Sequence, residues 1–202
     1  NNTAISTNTT TANRGVDLGL NVGGNSQPKN FSLLANNGFT VGNSIYVASN
    51  TSSATRTIGL NGSGSATFDK EIYLDGNLTI TGGSGTTTVS GAMVNTGGVI
   101  ANTGTVVLNA ANTYTGTTIV NAGTLTLGAA NALPITASAG NIRFTGGTPT
   151  LNLGQFSLGS STTSANSAGL LDFDVNTTVN LGAANGSAYS YYFKDSSAQT
   201  WS

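Results

Sequence analysis

Neither cysteine nor histidine occurs among the 202 residues of the chain. Without cysteine, no disulfide and no thiolate metal site can form. Without histidine, the chain lacks the commonest general base and the commonest metal ligand, so Ser–His–Asp and Cys–His catalysis are both excluded. We therefore predict no catalytic residue, no metal ligand and no cofactor.

Charged residues are scarce as well. They make up 6% of the chain, with a net charge of −1, whereas roughly 25% is usual for soluble domains. The basic residues are scattered, and phosphate binding requires clustered ones, so the sequence predicts no nucleic-acid partner. No apolar run approaches the ~20 residues that span a bilayer. The polar N-terminus shows no signal-peptide pattern, which indicates a mature or excised chain.

Proline is also rare, with 3 residues against 28 glycines, and Thr, Asn and Ser are frequent. Asn and Gly favour turns, and no window has the apolar spacing of an amphipathic helix. Short runs in which apolar residues alternate with Thr or Asn, bounded by turn residues, indicate strands with one apolar face. The clearest runs are Ala66–Leu74, Asn77–Thr81, Thr105–Asn109, Thr117–Asn121, Thr124–Gly128, Asn141–Thr145, Thr150–Gly154, Leu170–Val175 and Thr178–Gly182.

The strand runs recur at long intervals. The similar strings TLTLG, TLNLG and TVNLG end at Gly128, Gly154 and Gly182, which lie 26 and 28 residues apart. The string NLTITG ends at Gly82, 46 residues before Gly128, an interval that we interpret as two coils. Degenerate periods of about 20–30 residues indicate a solenoid, in which each coil buries its apolar side against its neighbours.

The predicted fold is therefore all-β, a right-handed parallel β-solenoid of roughly eight coils, because parallel crossovers are almost always right-handed. An antiparallel β-sandwich requires the same strand propensity and stays open as the alternative. In the solenoid, residues two apart on a strand share a face. The residues predicted to line the interior are Leu125, Leu127, Leu151, Leu153, Val179 and Leu181.

The chain is expected to have three segments. Residues 1–16 form a polar segment, rich in Thr and Asn, that is either flexible or donated as a strand to a neighbouring subunit. Residues 17–187 form the solenoid, and residues 188–202 form an aromatic-rich terminal strand or cap. Large aromatic side chains commonly anchor subunit interfaces. The predicted interface residues are Tyr189, Tyr191, Tyr192, Phe193 and Trp201.

The segment Ala110–Pro134 has a distinctive pattern, AANTYTGTTIVNAGTLTLGAANALP. A strand ending in Leu is followed by Ala-Asn-x-Tyr-x-Gly, then by Thr, and then by Asn-x-Gly-x-Leu. This pattern resembles the autotransporter-associated β-strand repeat, most clearly over Val99–Pro134, and the resemblance implies a passenger-like β-solenoid of a bacterial surface. The matching residues are Leu108, Ala111, Asn112, Tyr114, Gly116, Thr118, Asn121, Gly123, Leu125 and Leu127.

Several residues of this segment have predicted local roles. Gly116 and Gly123 lie where the chain must turn, and glycine enters positive φ without steric cost. Tyr114 is expected at a half-buried corner. Three threonines are expected to face outward or to line a polar ladder: Thr118, Thr124 and Thr126.

Two acidic groups are candidate sites. Asp172 and Asp174 lie on one face of a predicted strand, and paired carboxylates at such spacing can cleave glycosidic bonds. A solvated acid pair is favoured instead, because no Arg or Lys lies within 20 residues except Lys194.

The second acidic group comprises Asp69, Glu71 and Asp75. These residues could supply some of the six to eight oxygens that calcium requires. An exposed charged face, with Lys70 on the opposite side, is the favoured interpretation.

Threonine pairs two residues apart suggest ice binding, which requires a regular Thr-x-Thr rank on successive coils. The sequence indicates a broken rank and disfavours this function. Two pairs are complete, Thr79 with Thr81 and Thr124 with Thr126. The rank is broken at the other two, where Asn152 follows Thr150 and Asn180 follows Thr178.

We therefore predict a non-enzymatic extracellular scaffold of a bacterial cell surface or filament that self-associates end to end. An adhesin that binds glycans or host surfaces is the first alternative. A polysaccharide-active β-helix enzyme using Asp172 and Asp174 is the second.

Overall fold

A computed structural model describes residues 15–19, 30–49, 54–134, 142–154, 156 and 171–181. Within these ranges the regular structure is entirely β, and the strands form three parallel sheets. This result confirms the predicted parallel β-solenoid and excludes the antiparallel sandwich. The predicted segments 1–16 and 188–202 lie largely or wholly outside the described residues.

The chain passes from sheet to sheet and then returns one level along the stack. The first sheet consists of β1 (Val16–Leu18), β4 (Ile45–Val47), β7 (Ile72–Leu74) and β10 (Met93–Val94). The second sheet consists of β2 (Phe31–Ala35), β5 (Arg56–Leu60), β8 (Leu78–Thr81), β11 (Val99–Ala101), β13 (Thr118–Val120), β15 (Ile142–Phe144) and β17 (Leu171–Phe173). The third sheet consists of β3 (Phe39–Val41), β6 (Ser65–Phe68), β9 (Thr86–Val89), β12 (Thr105–Leu108), β14 (Thr124–Leu127), β16 (Thr150–Gly154) and β18 (Thr178–Leu181).

The length of a coil varies along the stack. Thr105 pairs with Thr124, 19 residues further on, whereas Asn152 pairs with Asn180, 28 residues further on. Beyond β10 the described strands of both short and long coils belong to the second and third sheets only. At a strand spacing of ~4.8 Å, the seven strands of the second sheet make a stack about 30 Å long.

The core lies between the sheets and continues along the stack. In most strands, apolar residues at alternate positions point inward, as the burial pattern of β14 shows for Leu125 and Leu127. Leu151 and Leu153 are also buried, so these four predictions are confirmed. Val179 is partly buried against the same core, and the side chain of Leu181 is not among those that the structure describes.

One predicted repeat correspondence was wrong. The run that ends near Gly82 forms β8 in the second sheet, whereas the run that ends at Gly128 forms β14 in the third. Both runs alternate Thr with an apolar residue, so their strings look equivalent. Register is decided by the strand that each one pairs with, and Ile80 lies in line with Ala101.

The two glycines of the repeat have different roles. Gly123 has a φ of +72°, which confirms the predicted turn. Gly116 is absent from the described residues with positive φ, so the conformational role predicted for it was wrong. A Cβ atom at Gly116 would lie 2.4 Å from the carbonyl carbon of Gly97 on the preceding coil. Glycine is therefore required there because two coils approach closely.

Candidate functional site

Asp172 and Asp174 lie beside Arg143, which belongs to the preceding coil. Arg143 pairs in register with Asp172, and its Nε lies 3.7 Å from Asp172 Oδ2. Its Nη2 lies 2.6 Å from Asp174 Oδ2, to which Nε also donates at 2.8 Å. The sequence analysis did not identify Arg143 as a neighbour of the two aspartates, because Arg143 lies one coil earlier in the sequence. The arrangement is that of an exposed ion-pair cluster on a sheet surface.

The second acidic group is divided among separate partners. The Tyr46 hydroxyl donates to Asp75 Oδ2, and the Asn95 side-chain amide donates to Asp75 Oδ1 at 3.0 Å. The Tyr73 hydroxyl donates to Glu71 Oε2. Across the described part of the chain, no three acidic side chains are grouped as a metal site would require.

The expected position of Lys70 was wrong. Its Nζ lies 3.5 Å from Asp69 Oδ2 instead of on the opposite side of the strand. The cause is that both residues lie in the corner between β6 and β7, where the alternation of an extended strand is interrupted.

A row of tyrosines on the outside of the first sheet was missed by the sequence analysis. Tyr46 pairs in register with Tyr73, and both side chains are half-buried. Asp17 is the next residue in the row; it is 5% exposed, and neither of its carboxylate oxygens has a hydrogen-bond partner among the described residues. Only strand register brings these residues together, so no local sequence signal could have found the row.

A buried arginine was also missed. Arg56 is 6% exposed, and its Nε donates to the carbonyl oxygen of Leu18 at 3.2 Å. Its guanidinium carbon lies 5.2 Å from the centroid of the Phe31 ring, a cation–π contact. Burial lowers the pKa of Arg56.

The repeat segment contains a buried asparagine that bridges coils. Asn112 Oδ1 accepts a hydrogen bond from the Met93 backbone N–H at 2.7 Å, and Asn112 Nδ2 donates to the Ala132 carbonyl oxygen at 2.6 Å. The neighbouring Thr113 N–H donates to the Met93 carbonyl oxygen at 2.9 Å. These bonds continue the stack where the described strands of the first sheet end.

Tyr114 and Thr118 form a second internal contact. The Tyr114 hydroxyl lies 2.6 Å from Thr118 Oγ1. Tyr114 is 1% exposed and Thr118 is 2% exposed, so the expected half-buried corner and outward threonine were both wrong. The alternation of β13 turns Thr118 and Val120 inward and Ile119 outward. Burial raises the pKa of Tyr114 well above its ordinary value, and the hydrogen bond with Thr118 opposes that shift.

The outside of the third sheet carries two rows of short polar side chains. Thr124 and Thr126 are half-buried members of these rows, as predicted. The first row is Ser65, Thr86, Thr105, Thr124, Thr150 and Thr178. The second row is Thr40, Thr67, Thr88, Val107, Thr126, Asn152 and Asn180. Of the four residue pairs that the sequence analysis considered for a threonine rank, one was wrongly placed. Thr79 and Thr81 belong to β8 in the second sheet.

The predicted interface residues lie outside the described residues, so their placement stays a prediction. They are Tyr189, Tyr191, Tyr192, Phe193 and Trp201. None of the described segments forms a helix with the length and hydrophobicity needed to cross a bilayer.

Comparison with known proteins supports the interpretation of the Ala110–Pro134 segment as part of a repeat. No curated protein and no solved structure matches the chain. A family model does match over residues 101–127, which include β12, β13 and the Asn112–Tyr114 corner. The model describes the passenger-associated-transport-repeat, so this stretch is similar to the autotransporter-type repeat that its sequence pattern resembles.

Proposed function

We propose that the chain is a non-enzymatic structural part of a bacterial passenger protein, displayed at the cell surface or secreted. The observation that carries this proposal is the continuous parallel stack, whose core runs through the repeat at residues 101–127. Because each coil contacts only its neighbours, a stack grows along one direction into an elongated body. Such a body can project from a cell surface without a catalytic site.

The chemistry of the chain supports a non-enzymatic role. The sequence has neither histidine nor cysteine. The acids considered for polysaccharide cleavage, Asp172 and Asp174, are both within 4 Å of the Arg143 guanidinium. An exposed carboxylate in such an ion pair serves local solubility and strand pairing without further chemistry.

Surface display is tested on intact cells of the source bacterium. An antibody raised against the chain should label the cells, and a protease added outside should remove the label while a cytoplasmic marker survives. Label that appears only after lysis, or that resists the protease only until lysis, contradicts the proposal.

End-to-end self-association is the finer part of the proposal, and its support is the sequence. The aromatic segment 188–202 and the Thr-rich residues 1–14 would associate between subunits by side-chain burial and strand addition. Light scattering should show assemblies of the full chain, and a smaller mass after deletion of residues 1–14 or after the double substitution Tyr191→Ser and Phe193→Ser. A full chain that stays monomeric at all concentrations contradicts this part.

The tyrosine row favours one second candidate, an adhesin that binds glycans. Tyr46 and Tyr73 present half-buried rings beside carboxylates, and such rings offer an apolar face next to hydrogen-bond acceptors. Replacing both tyrosines by Ala should then abolish retention on immobilised glycans, whereas replacing both by Phe should retain part of it. Equal retention of the wild type and the Ala variant contradicts this candidate.

A further inference from the structure

The two rows on the outside of the third sheet form a regular two-dimensional array. A hydroxyl group occupies every position of the first row on six consecutive coils, from Ser65 to Thr178. The second row contains Thr67, Thr88 and Thr126, and it ends in two asparagines. The strands of the third sheet stay in register at these positions although the coils differ in length. The two rows are therefore aligned by strand pairing and not by a constant coil length.

The spacing of the array follows from strand geometry. Neighbours along a row lie one strand spacing apart, ~4.8 Å, and the two rows lie two residues apart along the strand, ~6.7 Å. Six coils make the first row about 24 Å long. Threonine has a restricted χ1 angle because it is β-branched, and the ladder of threonines above and below leaves Thr105 and Thr124 half-buried. The hydroxyl and methyl groups are therefore held in place before anything binds.

The array differs in charge from the rest of the surface. In the described coils, charged side chains lie in strands of the first and second sheets or in corners and turns, as Arg143, Asp172 and Glu71 do. None of the outward positions of β6, β9, β12, β14, β16 or β18 is charged in the described chain. A partner that matches this face is uncharged and repeats at similar distances in two directions.

The side chains of the array narrow the chemistry of that partner. Protein interfaces concentrate their binding energy in Trp, Tyr and Arg, and sugar rings are typically bound against aromatic faces. The twelve positions that the two rows occupy in those six strands hold neither aromatic nor basic residues. Nine of them carry a hydroxyl group, which can donate one hydrogen bond and accept two. Water, like a hydroxyl group, both donates and accepts hydrogen bonds.

We propose that the third-sheet face binds the surface of ice. Each Thr hydroxyl takes the position of a lattice water, and each methyl group lies against the lattice between such positions. The first row, which is unbroken over six coils, makes the main contact, and the second row, which is interrupted at Val107, adds to it. This binding is independent of enzymatic activity and of surface display.

The test is incorporation of the full 202-residue chain into slowly growing ice, together with the shape of single ice crystals in its presence. The wild-type chain is expected to be enriched in the ice fraction relative to an inert globular protein, and to facet the crystals. Thr124→Tyr places a ring in the middle of the first row and should lose the enrichment. Thr79→Tyr, at an outward position of β8 in the second sheet, is the matched control and should keep it.

Thermal melting separates loss of binding from loss of folding, and Thr86→Tyr in β9 repeats the test if Thr124→Tyr melts early. Exclusion of the wild-type chain from ice overturns the proposal. Equal loss of enrichment in Thr79→Tyr and Thr124→Tyr also overturns it. Retention on insoluble cellulose or chitin without any enrichment in ice assigns the face to a polysaccharide and likewise overturns it.

Discussion

Arg143 Nη2 lies 2.6 Å from Asp174 Oδ2, although 31 residues separate Arg143 from Asp174 in the chain. The contact exists because β15 and β17 are adjacent strands of one parallel sheet. Residues that are one coil apart in the sequence therefore lie side by side in the stack. A carboxylate pair that resembles a glycosidase site in the sequence is thereby part of a three-residue ion-pair cluster.

The first prediction concerns this cluster. The double substitution Asp172→Asn and Asp174→Asn should change the free energy of unfolding by less than about 1 kcal/mol, because exposed ion pairs contribute little. Urea denaturation followed by circular dichroism measures the effect. Polysaccharide hydrolysis assays on both proteins should give the same background, and a cleavage activity lost only in the double variant would refute the non-enzymatic assignment.

The second prediction concerns the core. Leu125 is fully buried, so Leu125→Ala should lower the free energy of unfolding by about 2–5 kcal/mol through lost burial and the cavity left behind. Thr126→Ala, one residue along on the outside of β14, is the matched control and should change it by less than about 1 kcal/mol. Similar urea midpoints for the two variants would contradict the inward assignment of Leu125.

The third prediction concerns the asparagine bridge. Asn112→Ala removes the partners of the Met93 N–H and the Ala132 carbonyl oxygen. Each of the two buried groups left without a partner costs about 1–3 kcal/mol, so a loss of about 2–6 kcal/mol is expected in urea denaturation. Asn109→Ala, at an exposed position just after β12, should be nearly neutral. An equally small effect of both substitutions would show that the bridge is dispensable.

The fourth prediction concerns pH. Burial raises the pKa of Tyr114 in the folded chain, so its contribution to stability is complete below the unfolded value of about 10 and is lost as the pH rises above it. The loss amounts to about 1.4 kcal/mol per pH unit, because only the unfolded state releases the proton there.

Tyr114→Phe isolates this effect. Near neutral pH the variant should be less stable than the wild type by about 1 kcal/mol, since the hydrogen bond with Thr118 is lost. Above pH ~10 the variant lacks the titrating group, so the stability advantage of the wild type should shrink and then reverse. A difference that stays constant between about pH 9 and about pH 11.5 would contradict the assignment of Tyr114 as a neutral buried phenol.

The fifth prediction distinguishes two reasons for glycine. Gly116→Ala would place a Cβ 2.4 Å from the Gly97 backbone and should strongly lower the melting temperature, because two coils would have to separate. Gly62 has a φ of +93° but open space around it, so Gly62→Ala should cost only the strain of the left-handed conformation, about 1–2 kcal/mol. A smaller effect at Gly116 than at Gly62 would contradict the close-approach argument.

The sequence by itself determined the strands and the repeat segment, and it favoured the parallel β-solenoid while leaving an antiparallel sandwich open. Alternation of Thr with Leu over Thr124–Leu127 and Thr150–Gly154 identifies both the strands and their inward residues, because side chains alternate with period two. The spacing of such strands gives the coil, and the Asn112–Tyr114 pattern identifies the repeat. All these signals are local or periodic, so they are visible in a single sequence.

Only the tertiary structure decided which residues of different coils meet. The coil length changes from 19 residues at Thr105 to 28 at Asn152, so no fixed period predicts the register. That register places Arg143 beside Asp172, aligns Tyr46 with Tyr73, and builds the unbroken hydroxyl row of the third sheet. It also turns Thr118 inward to meet Tyr114, because the alternation of β13 is fixed by pairing with β11 and β15.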